Sequence, residues 1–264
     1  MNKRILVTGA TGFIGRPLSA ELARAGYEVV ALSRRRTEAE RVLTGDVKVV
    51  EWDATTARGW SEFVDGAMAI VNLAGENIGS GRWTGGRKQQ ILASRLNAGK
   101  AITRAIRRAE HKPQVLIQAS GAGYYGDRGD QLLDEDSSNG SGFLADVAQQ
   151  WERSVHEVGS LGVRLVTIRL GVVLGAHGGV MSRLIPPFRF FVGGHPGSGK
   201  QWLGWVHIDD VIGVIRFLVE NANCEGPFNV TVPEPTRSKD FYDALGKAIH
   251  RPAVFPMPAF ALKL

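Results

Sequence analysis

Arg4-Ile5-Leu6-Val7-Thr8-Gly9-Ala10-Thr11-Gly12-Phe13-Ile14-Gly15 opens the chain and decides how the rest is read. Ile5, Leu6 and Val7 form a short apolar run with β-branched ends, which suits a strand buried on both faces. Gly9, Gly12 and Gly15 follow at once. Ile14, Leu18 and Leu22 then recur every four residues and make one apolar helix face. Pro17 stands in the first turn of that helix, where its missing N–H does no harm, and Gly26 stops it. A glycine-rich turn between a buried strand and a helix N-terminus is a phosphate site. The glycines let backbone approach a pyrophosphate, and the helix end offers free N–H groups and partial positive charge. A tight βα turn with no ligand is the simpler alternative; the strand before, the helix after and a further strand beyond favour the phosphate site.

Outward from this turn, the pattern repeats. Residues 28–32 form a second strand, and 35–43 a polar short helix or loop. Residues 47–52 form a third strand ending at Asp53, and 60–64 a helical turn. Residues 69–73 form a fourth strand ending in Ala74-Gly75. A loop with Gly79 to Gly86 leads into a long helix over about 88–109. Residues 115–119 form a fifth strand, about 143–158 a helix, and 163–169 a sixth strand. Strands alternating with helices predict a Rossmann-like α/β fold, a doubly wound parallel sheet. Residues 171–206 are rich in Gly, Pro and aromatics and lack a period, which marks the start of a small C-terminal substrate lobe. Asp209 or Asp210 is placed to cap another helix. Residues 228–232 read as a last sheet strand, Ser238 as the cap of a helix to about Ile249, and 256–264 as the beginning of a helix. The domain reading is therefore a dinucleotide-binding unit over 1–170, rejoined by about 207–232, with 171–206 and 233–264 in the lobe.

The sequence has 264 residues, 44% hydrophobic and 22% charged, with 33 Gly, which is enough for one large core. The net charge is +6. Lys and Arg are spread out, with local clusters at Arg34-Arg35-Arg36 and Arg107-Arg108. No recognition helix or aromatic–basic interleaving points to nucleic acid, and an anionic small molecule is a sufficient partner. The single Cys224 excludes an internal disulfide framework. The first strand begins by residue 4, leaving no room for a signal peptide, and no apolar run reaches the roughly 18 residues of a membrane span. The expectation is a soluble cytoplasmic protein, a monomer or homodimer. Six scattered His and one Cys give no metal-ligand spacing.

Which dinucleotide the turn would hold is read at the end of the second strand. Enzymes that use NAD place an acidic residue roughly 20 residues past the glycines, on the ribose 2′-OH. Here the strand ends Leu32-Ser33-Arg34-Arg35-Arg36. Arg grips phosphate bidentately. The cofactor reading is NADP(H), with Ser33 and Arg34 on the 2′-phosphate and Arg35 helping. A solvated basic turn is the alternative. Asp53 is placed to accept from the adenine amino group, and Leu73, Ala74 and Gly75 to pass under ribose and pyrophosphate.

Thr8 to Gly15 resembles the signature of the short-chain dehydrogenase/reductase superfamily, in its extended, epimerase-like branch. Val206-His207-Ile208-Asp209-Asp210-Val211 is similar to the "YVHVDDV" stretch of that branch. The segments 72–78, Ser94-Arg95-Leu96, 171–175 and 186–189 look more closely like the YfcH-like group of epimerase family proteins. The resemblance implies an NADP-linked Rossmann protein of unsettled reaction, with a C-terminal segment continuing past Leu264. Residue by residue, it implies cofactor contacts at Gly9, Thr11, Gly12, Phe13, Ile14, Gly15, Gln90, Arg95 and Val173.

Ordinary members of the superfamily move a proton with Tyr and a Lys four residues later. In the place of "SPYxxxK" this chain has Ser141-Gly142-Phe143-Leu144-Ala145-Asp146-Val147, so Tyr becomes Phe143 and Lys becomes Val147. Neither carries a proton. Ser120 and Tyr124 are the nearest replacements in sequence, and Glu76 is another. Each has a bland alternative: packing for the tyrosines, a backbone hydrogen bond for Glu76. His207 reads as a structural residue at a helix start. Gly194 to Gln201 nearly spells a P-loop, but Gln201 stands where Ser or Thr must hold Mg²⁺, so a lid or substrate loop is the reading. Two functions stay open. One is an NADP(H)-dependent oxidoreductase or nucleotide-sugar epimerase on a small polar substrate. The other is an NADP(H)-binding sensor without turnover.

Overall fold

The computed structural model describes residues 3–176, 178–253 and 255. In chain order its elements are β1 (Arg4–Thr8), α1 (Gly15–Arg24), β2 (Glu28–Ser33), α2 (Arg36–Val42), β3 (Val47–Glu51), β4 (Ala69–Asn72), α3 (Gly85–Arg108), β5 (Val115–Gly121), α4 (Phe143–Arg153), α5 (Glu157–Ser160) and β6 (Arg164–Leu170). There follow β7 (Val172–Leu174), α6 (Met181–Arg189), β8 (Trp202–Leu203), β9 (Trp205–His207), α7 (Ile208–Glu220), β10 (Gly226–Val230), β11 (Thr236–Arg237) and α8 (Ser238–Ala248). Among the described residues, seven strands form one parallel sheet in the order β10-β6-β5-β4-β1-β2-β3. The order reverses direction between β1 and β4, the point where open sheets of this kind bind ligands at their carboxyl edge.

Alternation within each strand sends side chains to two cores. Ile5, Val7, Val71, Ile117 and Ile168 join Leu18 and Leu22 of α1 and Val211 and Ile215 of α7 on one face. Leu6, Ile70 and Leu116 join Ala98, Ile102 and Ile106 of α3 on the other. On that second face Trp52 and Trp60 meet edge to face at 5.4 Å, and both indole N–H groups donate to the Thr56 carbonyl. A third, smaller cluster of Phe188, Tyr242 and Leu245 joins α6 to α8. The lobe residues add two short pairings, β7 parallel to β9 and β8 antiparallel to β11.

Several local expectations need correction. The helix expected over 143–158 ends at Arg153: the Ser154 hydroxyl donates back to the Trp151 carbonyl, and the chain there presses on α3 where only Gly99 leaves room. A helix stands at Met181–Arg189 within the stretch that lacks a period; Pro186 and Pro187, which deny it two backbone donors, hide it from a sequence reading. The cap of α7 is His207, whose Nδ1 accepts from the Asp209 amide at 3.3 Å, while Asp209 and Asp210 lie in the first turn. Ser238 is the first helical residue of α8, buried, with Arg237 at the cap position. The glycine-rich run before it is a backbone cap for this helix: Gln201 and Gly199 carbonyls accept from the Ser238 and Lys239 amides. The helix read over 256–264 lies outside the described residues.

Candidate functional site

Three buried polar side chains tie the strand ends together. The Thr8 hydroxyl donates to Asn72 Oδ1 at 2.7 Å and accepts from the amides of Leu73 and Ala74 at 3.1 Å. Asn72 Nδ2 donates to Gln118 Oε1 at 2.8 Å, and Gln118 Nε2 donates to the Ala119 carbonyl. Each is fully enclosed, so this satisfied network rigidifies the exits of β1, β4 and β5. Against that floor lies the glycine turn. Gly12 N donates to Gly9 O at 2.9 Å. A Cβ at Gly15 would fall 2.2 Å from Gly9 O, and one at Gly9, whose φ is +64°, would fall 2.7 Å from Leu73 O. The turn therefore closes on the β4 exit only without side chains.

The cleft so formed is lined by Gly9, Thr11 and Gly12 from the turn, by Leu73, Ala74 and Gly75 beneath, and by Ser33, Arg34 and Arg35 at one end. Ser33 Oγ accepts from the Arg35 amide, and Arg35 is paired with Glu38 at 3.0 Å. Arg34 has no carboxylate partner among the described residues. A larger, mostly apolar hollow between α7 and β10 brings together no comparable set of donors.

Asp53, expected to accept from the adenine amino group, is not among the residues that line the cleft. Its Oδ1 accepts from the amides of Thr55 and Thr56 and its Oδ2 from the Thr56 hydroxyl, so the carboxylate staples the loop after β3; Trp52 and Ala54 line the cleft instead. Burial raises the Asp53 carboxyl, and hydrogen bonds from Thr56 and Thr55 more than reverse this, to about 2. The folded chain thus binds fewer protons here than the unfolded one, so the contribution is complete above about pH 4 and is lost as pH falls toward 2. Asp53→Asn should flatten the acid limb of melting temperature against pH, read by thermal scans.

Gln90 is exposed and accepts from Arg87 Nη1 at 3.3 Å; Ser94, one turn on, is the residue of α3 that lines the cleft. Arg95 lies behind the wall: Nη1 donates to the carbonyls of Glu76 and Ile91, and its guanidinium sits 4.8 Å over the Trp151 ring. Burial pulls Arg95 down to about 10, Glu76 opposes the shift and Arg87 adds to it. Glu76 itself lines the cleft and pairs loosely with Arg87 at 3.5 Å. Phe13 turns away toward the lobe, where added Cβ atoms at Gly175, Gly178 and Gly179 would meet its ring at 2.9, 2.9 and 2.6 Å. Ile14 caps α1, and Val173 pairs with Val206; both pack on the core.

The face of α4 that would carry Tyr and Lys presents Phe143, Val147 and Trp151, one turn apart. Cations of α3 lie on two of them: Lys88 Nζ is 5.2 Å from the Phe143 ring and Arg95 covers Trp151. Where α4 packs on the ends of β5, β6 and β10, its Glu152 joins a buried charge network whose other members sequence reasoning missed. Ser120 Oγ donates to Glu152 Oε1 at 2.6 Å, and Arg169 grips Glu152 through Nε at 3.1 Å and Nη2 at 3.0 Å. Arg169 Nη1 donates to the Tyr125 hydroxyl at 2.9 Å, and that hydroxyl donates to Asn229 Oδ1 at 2.6 Å. Burial pushes Arg169 down, and its bonds to Glu152 and Tyr125 more than restore it, leaving it raised. Burial pushes the Tyr125 phenol up. The one signal in sequence was an Arg at the end of an otherwise buried strand.

The profile of the NAD dependent epimerase/dehydratase family matches residues 5–231. The chain belongs to that family. It is 40% identical over 261 residues to the Epimerase family protein YfhF of Bacillus subtilis, covering 98% of this chain and 84% of that one. It is 37% identical to the Epimerase family protein SDR39U1 homolog, chloroplastic, of Arabidopsis thaliana, covering 98% and 74%. Among solved structures it is similar to human epimerase family protein SDR39U1 (isoform 2) with NADPH, at TM-score 0.84 and 32% identity, covering 98% and 84%. The nucleoside-diphosphate sugar epimerase from Corynebacterium glutamicum matches at TM-score 0.76 and 30% identity, covering 100% and 54%. No helix among the described residues is long and apolar enough to cross a membrane.

Proposed function

We propose that this family member binds NADP(H) across the first crossover and acts as an oxidoreductase or epimerase on a small polar substrate. The observation that carries the reading is Arg34, a guanidinium without a carboxylate partner, beside Ser33 at the end of β2. An NAD-binding site would carry an acid there. The crystallisation of the human relative with NADPH supports it. The glycine turn fits the group by its shape, since Cβ atoms at Gly9 and Gly15 would fill the cradle. Gly9, Thr11 and Gly12 would take the pyrophosphate, Leu73 to Gly75 would pass beneath, and Arg34 would hold the 2′-phosphate. The bound group supplies a hydride donor or acceptor; the chain positions it and excludes water.

Titrating NADPH and NADH by intrinsic fluorescence, then following NADPH oxidation against a panel of small carbonyl compounds, tests the reading. Preference for NADPH with oxidation supports it, and failure to bind NADPH overturns it. Binding without oxidation supports a second reading, a non-catalytic sensor, which Phe143 and Val147 favour. Arg95 adds a prediction. Burial behind the cleft wall disfavours its charge, so Arg95→Met should raise the melting temperature of the ligand-free protein by a few degrees, read by thermal scans.

A further inference from the structure

The turn after β5 fixes one tyrosine by its backbone and ring and leaves its hydroxyl without a hydrogen bond among the described residues. The Tyr124 carbonyl accepts from Gly140 N and Asn139 Nδ2, so its backbone is fixed. Its ring meets Tyr125 edge to face at 5.3 Å, and the Arg169 guanidinium lies 3.7 Å from its centre. Arg169 is in turn clamped by Glu152, which Ser120 also contacts. The turn packs on the start of α4, where a Cβ at Gly123 would lie 3.4 Å from Leu144, the neighbour of Phe143. Tyr124 is half-buried, and no hydrogen bond engages its hydroxyl among the described residues. The other three phenols differ: Tyr27 donates to Glu220, Tyr125 is bonded on both sides, and Tyr242 is buried.

We propose that the proton-transfer pair lost from α4 is rebuilt at the turn after β5 that packs on that helix, with Tyr124 as the catalytic hydroxyl and Arg169 as its positioning residue. The Arg169 guanidinium against the ring holds the phenol in place, the positioning that lysine supplies in the usual pair. In reduction, a carbonyl carbon that takes hydride from the reduced nicotinamide leaves its oxygen in need of a proton. The Tyr124 O–H bond breaks toward that oxygen, the electron pair stays on the phenol oxygen, and water returns the proton. The carbonyl is reduced to an alcohol and the dinucleotide is oxidised. Glu152 is not the base, because Arg169 and Ser120 occupy both its oxygens.

The inference rests on the NADP(H) reading and is tested apart from it. The whole protein is treated with N-acetylimidazole, and acetylated tyrosines are mapped by mass spectrometry with and without saturating NADP⁺. The expected result is labelling of Tyr124 ahead of Tyr125 and Tyr242, abolished by NADP⁺, with labelling of Tyr27 unchanged. Unprotected Tyr124 in a sample shown by fluorescence to hold NADP⁺ overturns the inference and leaves cofactor binding intact. In the carbonyl panel, Tyr124→Phe should lower NADPH oxidation at least about 100-fold while its NADPH affinity stays within about twofold. Oxidation at the unmodified rate overturns the proposal. Absence of oxidation by the unmodified protein overturns both this step and turnover.

Discussion

Arg34→Glu weakens NADPH at least about 30-fold and leaves NADH unchanged. The charge-assisted hydrogen bond that Arg34 would give the 2′-phosphate is worth about 2 kcal/mol, and 1.4 kcal/mol is a factor of ten. The introduced carboxylate adds repulsion, which moves the loss toward about 100-fold at low salt. Arg35 is an internal control. It lines the same end of the cleft but is paired with Glu38, so Arg35→Glu should cost less. Fluorescence titration of both dinucleotides reads the difference. Equal losses for NADPH and NADH, or none, would remove the 2′-phosphate from this position.

Glu152→Ala should lower the melting temperature by about 10 °C. Arg169 is 5% exposed and Glu152 12%. Removing one partner of such a buried pair leaves an uncompensated charge, at about 3–5 kcal/mol. In a chain of this size each kcal/mol shifts the transition by about 2–4 °C. Ser120→Ala deletes one hydrogen bond to the same carboxylate and should cost only about 1 kcal/mol. Replacing both charges, Glu152→Met with Arg169→Met, should recover part of the loss, because the desolvation penalty goes with them. Calorimetry on the four proteins decides it. A double variant no more stable than Glu152→Ala alone would mean that the pair's charge is not what the fold compensates.

The parallel sheet was legible because each of its strands is a short apolar run next to a turn residue, and periodicity reports that directly. Arg34 was legible because chain order puts it at the tip of β2, where the absence of an acid is visible in sequence. Side-chain direction was not. Asp53 stands at the expected place, yet its oxygens bend back to Thr55 and Thr56, a choice made by three local donors rather than by position. Arg95 is likewise in place, and its guanidinium lies behind the cleft wall instead of in it. Glu152 and Arg169 are 17 residues apart on a helix and a strand, and only the packing of α4 on the sheet brings them together. The helix α6 was masked by two prolines that a helix usually rejects.

Phe13 sets a bound on sequence drift in a distant part of the chain. Gly178 and Gly179 have φ of +152° and +62°, so they stay glycine whatever their neighbours are. Gly175 does not share that backbone constraint; what forbids a methyl there is the ring at 2.9 Å, with Ile208 Cγ2 at 3.0 Å as the next nearest atom. In a lineage that trades Phe13 for a smaller residue, position 175 needs only a slight shift of Ile208 to accept alanine, while its two companions remain locked. Substitution tolerance in the lobe is thus tied to an aromatic of the first crossover, and the two positions must be mutated together to be understood.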